Sequence, residues 1–235
     1  MLEIKNLTKT YKNGKKAVDS LSLTVRAGEI YGFIGHNGAG KTTAMKCVTG
    51  ILEYETGEIY MKGKSVKDEP LESKHSIAYI PDSPDLYVNM TGIKYLKFIA
   101  DVCGLDKEKR ENGIRKYAGV LELTNSLGDL VSSYSHGMKQ KLALISALMR
   151  EPELLILDEP FVGLDPKAAF TLKEQLKAIC GRGGAVFFST HILDVAEKLC
   201  DKIAIIKAGK LVVSGETNKV TGDKSLENLF LELTE

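Results

Sequence analysis

The run Gly35-His36-Asn37-Gly38-Ala39-Gly40-Lys41-Thr42-Thr43 has the residue types and the spacing to hold a chain of phosphates. Glycines let the backbone wrap a polyphosphate closely with its N–H groups turned inward, and a helix starting there adds the positive end of its dipole. Lys41 is placed to reach the β- and γ-phosphates, and the Thr42 hydroxyl can ligate Mg²⁺. The flanks suit the motif. Ile30-Tyr31-Gly32-Phe33-Ile34 is apolar enough for a buried strand, and Ala44, Met45, Cys47 and Val48 recur at helical spacing. A nucleoside triphosphate site is therefore predicted at this strand-to-helix junction.

A second constellation lies at Leu154-Leu155-Ile156-Leu157-Asp158-Glu159, an apolar strand ending in two carboxylates. The carboxyl ends of parallel strands are where an open sheet presents its binding crevice. Asp158 can hold Mg²⁺ through its water shell, and Glu159 can take a proton from an attacking water. Taken alone, the same residues suit a strand that merely ends in a solvated acidic turn. Tyr134-Ser135-His136-Gly137-Met138-Lys139-Gln140 leads into an apolar run from Leu142 to Met149. Ser135 suits an N-cap there, and the open N–H groups around Gly137 suit an anion.

The elements that must position these groups are legible as composition and period. Residues from Leu2 to about Tyr60 alternate strands and turns around the loop helix, with Leu21 to Val25 and Gly57 to Tyr60 as strands. From Thr91, a plausible N-cap, Ile93, Leu96, Phe98 and Ile99 mark one apolar helical face, and Gly104 marks a stop. This opens a helical insertion reaching about Met149. Short apolar runs then return at 154–157, 185–189 and 203–206, of the type found in buried parallel strands. Leu226, Leu229, Phe230 and Leu233 predict a final helix that packs back on the body. The expected organisation is one domain over 1–235, with a core at about 1–85 and 150–220. A helical subdomain at about 86–149 and a C-terminal helix at about 224–235 complete it.

Composition narrows the function classes. Hydrophobic residues make up 43% of 235, enough for a proper core. Lys and Arg total 32 against 31 Asp and Glu, so no overall field argues for nucleic acid or an anionic membrane surface. The longest apolar run is too short to span a bilayer, and the first residues lack a basic-then-apolar export signal. A cytoplasmic protein is expected. Cys47, Cys103, Cys180 and Cys200 are widely spaced and read as reduced core residues.

With Asp158-Glu159-Pro160, Gly163-Leu164-Asp165-Pro166 and His191 following the two glycine-bearing motifs in this order, the chain resembles the nucleotide-binding subunit of ATP-binding cassette transporters. The resemblance covers nearly the whole chain. It implies an α/β fold of the P-loop NTPase class, with a RecA-like core, an N-terminal antiparallel β-subdomain and an inserted α-helical subdomain. It implies ATP and Mg²⁺ as cofactors. Tyr11 then looks like the residue that stacks on adenine, though a packed strand-edge tyrosine is the competing reading. His191 looks like the histidine that senses the γ-phosphate and orients the attacking water. Ser135 and Gly137 would complete the site of a second ABC ATPase subunit, in a homodimer or a heterodimer, so that two cassettes close head-to-tail over two ATP molecules. A separate transmembrane permease subunit is the implied partner, with the cassette peripheral on the cytoplasmic face of the membrane. Nucleic acid is not expected as a partner. The signature and the C-terminal stretch look most like ATPase subunits of bacterial exporters of drugs, antibiotics, peptides or ions. A cassette ATPase acting on nucleic acid or the ribosome is the alternative.

Two positions depart from the family pattern. The signature, usually Leu-Ser-Gly-Gly-Gln, reads Tyr134-Ser135-His136-Gly137-Met138 here, which leaves His136 without an assigned role. Asp82, after Tyr79-Ile80-Pro81, stands where glutamine is typical. It either keeps an oxygen for the metal or its water, or only caps a turn.

Overall fold

The computed structural model describes residues 1–234, and among these the strands form two sheets. The first is antiparallel, built from β1 (Leu2–Thr10), β2 (Lys16–Val25), β4 (Thr56–Met61) and the short β5 (Lys64–Ser65) in the order β2-β1-β4-β5. Its inner positions alternate along each strand. Ile4 faces Leu23 on one side and Ile59 on the other, and all three are buried.

The second sheet carries the chemistry. Strands β3 (Ile30–Ile34), β6 (Ile77–Ile80), β7 (Leu154–Asp158), β8 (Ala185–Thr190) and β9 (Lys202–Lys207) run parallel, and β10 (Lys210–Glu216) closes one edge antiparallel to β9. The order is β10-β9-β3-β8-β7-β6. Every residue of β3, β7 and β8 is buried, as a parallel strand covered on both faces requires. The two faces feed two cores. Tyr31, Phe33, Leu154, Ile156 and Phe187 pack toward the antiparallel sheet and α1 (Lys41–Val48), with the Phe33 and Phe187 rings 5.4 Å apart. Ile34, Leu155, Leu157 and Phe188 pack toward the helices on the other face.

Between β6 and β7 the chain turns helical. Helix α3 (Gly92–Val102) starts at Thr91, whose hydroxyl accepts from the Lys94 N–H, and Gly104 follows its end at φ 70°. Helix α4 (Lys107–Val120) is capped by Asp106, and α5 (His136–Leu148) by Ser135. After β7 come α6 (Pro166–Gly181), capped by Asp165 with Pro166 in its first turn, and α7 (Leu193–Leu199). Helix α2 (Pro70–Ser76), strand β10 and helix α8 (Thr217–Thr221) are additions to what the sequence pattern suggested. The last helix, α9 (Leu226–Thr234), buries Leu226 and Phe230 against the body. All four cysteines are free. Burial raises the Cys180 thiol to about 11 and lifts Cys47 and Cys200 too, so all three stay protonated at neutral pH.

Candidate functional site

The phosphate-binding loop leaves β3 at its carboxyl end and enters α1 through Gly40, whose φ of 111° is closed to ordinary side chains. Space closes the position as well. A Cβ on Gly40 would sit 2.2 Å from the Ala17 backbone carbonyl oxygen on β2, which cannot swing aside as a side chain could. Gly40→Ala is therefore expected to lose at least about 2 kcal/mol, a drop of about 4–8 °C in Tm for a chain this size. Thermal melts check it, and an unchanged Tm would show that the loop has room to spare.

Lys41 is buried, and its ammonium donates to the Gly35 carbonyl at 2.6 Å and the His36 carbonyl at 3.3 Å. The loop thus holds its own cation in its mouth. Opposite stands Glu159, whose Oε1 forms an ion pair with Lys41 Nζ at 3.4 Å but makes no hydrogen bond. The other oxygen of Glu159 accepts from the backbone N–H of His191 at 3.3 Å and lies 3.0 Å from its Nδ1. A carboxylate only accepts, so Nδ1 is the protonated nitrogen of this pair. Glu159 itself has φ 49°, a left-handed conformation uncommon for a residue with a side chain and concentrated at functional sites.

Asp158 closes β7 and joins both neighbours. Its Oδ2 accepts from the Thr42 hydroxyl at 2.5 Å, and its Oδ1 accepts from the Ser189 hydroxyl. Ser189 in turn accepts from the Glu159 N–H at 3.0 Å. The parallel register sets this up, since Asp158 pairs with Ser189 across β7 and β8. Ser189 was not singled out from sequence; a hydroxyl at the end of a buried apolar strand was the available signal.

One cleft of about 200 Å³ gathers most of the residues expected to act. Tyr11, Asp82, Asp158, Glu159 and the loop from His36 to Thr43, except Ala39, line it. Gly35 and Ala39 lie buried beneath it, and His191 reaches it through Glu159. Tyr11 is exposed over two-fifths of its surface, and its hydroxyl lies 3.1 Å from Thr43 Oγ1. That contact turns the tyrosine toward the loop rather than into a core. Asp82 is exposed at the rim and makes no side-chain hydrogen bond among the described residues, so no turn cap is formed there. Near Asp158 and Asp82, the Tyr79 hydroxyl is buried without a partner, and burial first, then the two carboxylates, pushes its pKa up. Lys15 and Ala17 also line the cleft. They were missed because they come from the β1–β2 hairpin, far from the loop in sequence.

Ser135 and Gly137 are not part of this cleft. They open α5, where the exposed Ser135 accepts from the Met138 N–H at 3.3 Å. His136 packs its ring over Gly163, where any Cβ would meet His136 Cδ2 at 2.6 Å. On the same helix the Gln140 amide donates to the Pro160 carbonyl at 3.0 Å, and Lys141 pairs with Asp165 at 3.2 Å. The signature helix thereby grips the loop that follows Glu159.

Residues 18–162 match the family described as ABC transporter. The ABC transporter ATP-binding protein YhcH of Bacillus subtilis is 40% identical over 90% of this chain and 68% of its own. EcsA, an ABC-type transporter ATP-binding protein of the same organism, is 34% identical over 100% of this chain and 96% of its own. A solved structure of an ATP binding subunit of an ABC transporter superposes with a TM-score of 0.95 at 33% identity, over 100% of both chains. A family match over more than half the chain, relatives of this closeness and a P-loop NTPase fold agree: the chain belongs to the ABC transporter family and is an ATP-binding, ATP-hydrolysing subunit of such a transporter.

Proposed function

We propose that Glu159 is the general base of ATP hydrolysis, and the observation that carries this is its buried Oε1. That oxygen faces Lys41, has no hydrogen bond, and stands one residue from the Thr42–Asp158 pair. A carboxylate held by one oxygen through His191 keeps the other for a water proton. His191 fixes the base, and with half its side chain exposed it also has a free edge toward an attacking water. Lys41 and the loop N–H groups bind the β- and γ-phosphates, and Tyr11 takes the adenine face.

The oxygen donors fit Mg²⁺ as it binds with phosphate. Thr42 Oγ1 and Asp158 Oδ2 lie side by side, and among the described residues no group of three or more His, Cys, Asp and Glu forms a metal cage of its own. When bound there, Mg²⁺ would neutralise charge on the phosphate oxygens. Asp82 at the rim would act through a bound water. Asp82→Asn is expected to shift the Mg²⁺ dependence of hydrolysis while leaving nucleotide affinity within about twofold, because Lys41 and the loop remain. Superimposable magnesium titrations would leave Asp82 without this role.

The site is half of a whole. Ser135 and Gly137 sit exposed or half-buried away from the cleft of their own chain, which suits a phosphate contact made to a second copy. Closure over two nucleotides would then drive a separate transmembrane permease, with export the direction favoured by the resemblance of the signature and C-terminal stretch. No helix among the described residues is long and apolar enough to cross a membrane. In the native cell the protein is expected to sediment with membranes on the cytoplasmic face and to leave them in mild detergent together with that permease. Recovery with ribosomes or nucleic acid instead would overturn the transport reading.

A further inference from the structure

The phosphate-binding loop is touched by α9. The His36 ring stacks against Phe230 of α9, with ring centroids 4.7 Å apart and planes inclined by 60°. His36 is exposed toward the cleft, whereas Phe230 is buried in the same core as Ala196 and Leu199 of α7. The contact has a partner at the first residue of α9. The Leu226 N–H donates to Glu197 of α7 at 2.8 Å, and Leu226 is fully buried. Helix α7 begins at Leu193, two residues after His191. Just over one turn of α9 therefore spans from the helix that follows His191 to the phosphate-binding loop.

From this geometry we infer that Phe230 is a positioning residue for the phosphate-binding loop, and that α9 ties that loop to the segment carrying His191. The inference rests on the nucleotide-site reading above. The lever is short. The His36 carbonyl accepts from Lys41 Nζ and from the Ala39 N–H, so the residue whose ring rests on Phe230 also anchors the cation and the turn of the loop. With the ring held on α9, the imidazole is kept out of the space for phosphate and the loop N–H groups are pre-organised. Without it, part of the binding energy goes into ordering the loop. Helix α9 has the means to stay seated. Ser225 accepts from the Asn228 N–H at 3.2 Å, and Lys224 pairs with Glu232 at 2.6 Å across its exposed side. Movement of α7, as His191 engages or releases a γ-phosphate, would reach the loop through this strut.

The test uses the full chain with Mg²⁺ and a non-hydrolysable ATP analogue, titrated calorimetrically. Phe230→Leu keeps an apolar side chain against α7 but removes the ring from His36. It is expected to weaken analogue affinity about 2- to 10-fold, the span of a single aromatic contact. Phe230→Tyr, which keeps the ring, is expected to hold wild-type affinity. The double variant His36→Ala/Phe230→Leu should bind no more weakly than His36→Ala alone, because both changes remove one contact. Wild-type affinity in Phe230→Leu together with a lowered Tm would overturn the inference and leave α9 a packing element only. Full additivity in the double variant would overturn it too, since the effect would not pass through His36. A wild-type protein that fails to bind the analogue would instead overturn the reading of the site itself.

Discussion

Glu159→Gln is expected to hydrolyse ATP about 10²–10⁴-fold more slowly than wild type, the usual cost of losing a positioned base. Nucleotide affinity should stay, because in the proposed site Lys41 and the loop, rather than Glu159, hold the phosphates. The substitution is gentle on the fold. The glutamine carbonyl can still accept from the backbone and ring N–H groups of His191, and the Ser189 hydroxyl continues to hold the backbone N–H. It also removes one of the three carboxylates that line the cleft, so the ATP-bound state should persist. Two copies joined through Ser135 and Gly137 would then remain together. Size-exclusion with Mg²⁺ and ATP should show a dimer of this variant that disappears without nucleotide. Hydrolysis near the wild-type rate, with a monomer in both runs, would remove Glu159 from the role of base.

What the sequence made legible was whatever depends on neighbours along the chain. The caps at Thr91 and Ser135 could be anticipated because an N-cap needs only its own side chain and an N–H three residues on. Strands β3, β7 and β8 could be anticipated because burial on both faces writes a continuous apolar run. Strand β10 could not, since an edge strand with alternating half-exposed residues carries Lys210, Ser214 and Glu216 and reads as loop. The site divides along the same line. Lys41, Thr42, Asp158 and Glu159 lie in local motifs, and their types point to the roles proposed for them. The partners that fix them are not local. Ser189 meets Asp158 through strand register, Ala17 walls in Gly40 through the packing of two sheets, and Phe230 meets His36 only because α9 folds back across α7. His136 is the clearest instance of the difference. The sequence left its role unassigned, whereas in the fold its ring closes over Gly163, a position that its own φ of 79° already reserves for glycine.

Lys41→Met should separate binding from chemistry in the opposite sense to Glu159→Gln. The ammonium has three donors, and two are committed to the Gly35 and His36 carbonyls while its charge faces Glu159. In the proposed site a triphosphate would compete for that charge, so the nucleotide would draw on a cation already desolvated and already aimed. Hydrogen bonds to charged groups contribute about 1.5–3 kcal/mol each, which converts to about 10- to 150-fold in affinity for the loss of one such contact. Methionine nearly fills the space, so a cavity is not the cause of the change. The residual cost in the nucleotide-free protein is a different one. Glu159 keeps its bonds from His191 but loses its buried counter-charge, and breaking one partner of a buried pair is destabilising because the other stays behind. The expected result is therefore twofold: weaker binding of Mg²⁺ and ATP analogue by at least about 10-fold in calorimetric titration, and a lower Tm without nucleotide. Adding Glu159→Gln to Lys41→Met should restore much of that Tm, because it removes the stranded charge, yet it should restore none of the affinity. A double variant no more stable than Lys41→Met would show that the 3.4 Å pair contributes nothing to holding the empty site, and affinity within twofold of wild type in Lys41→Met would take Lys41 out of the phosphate contact.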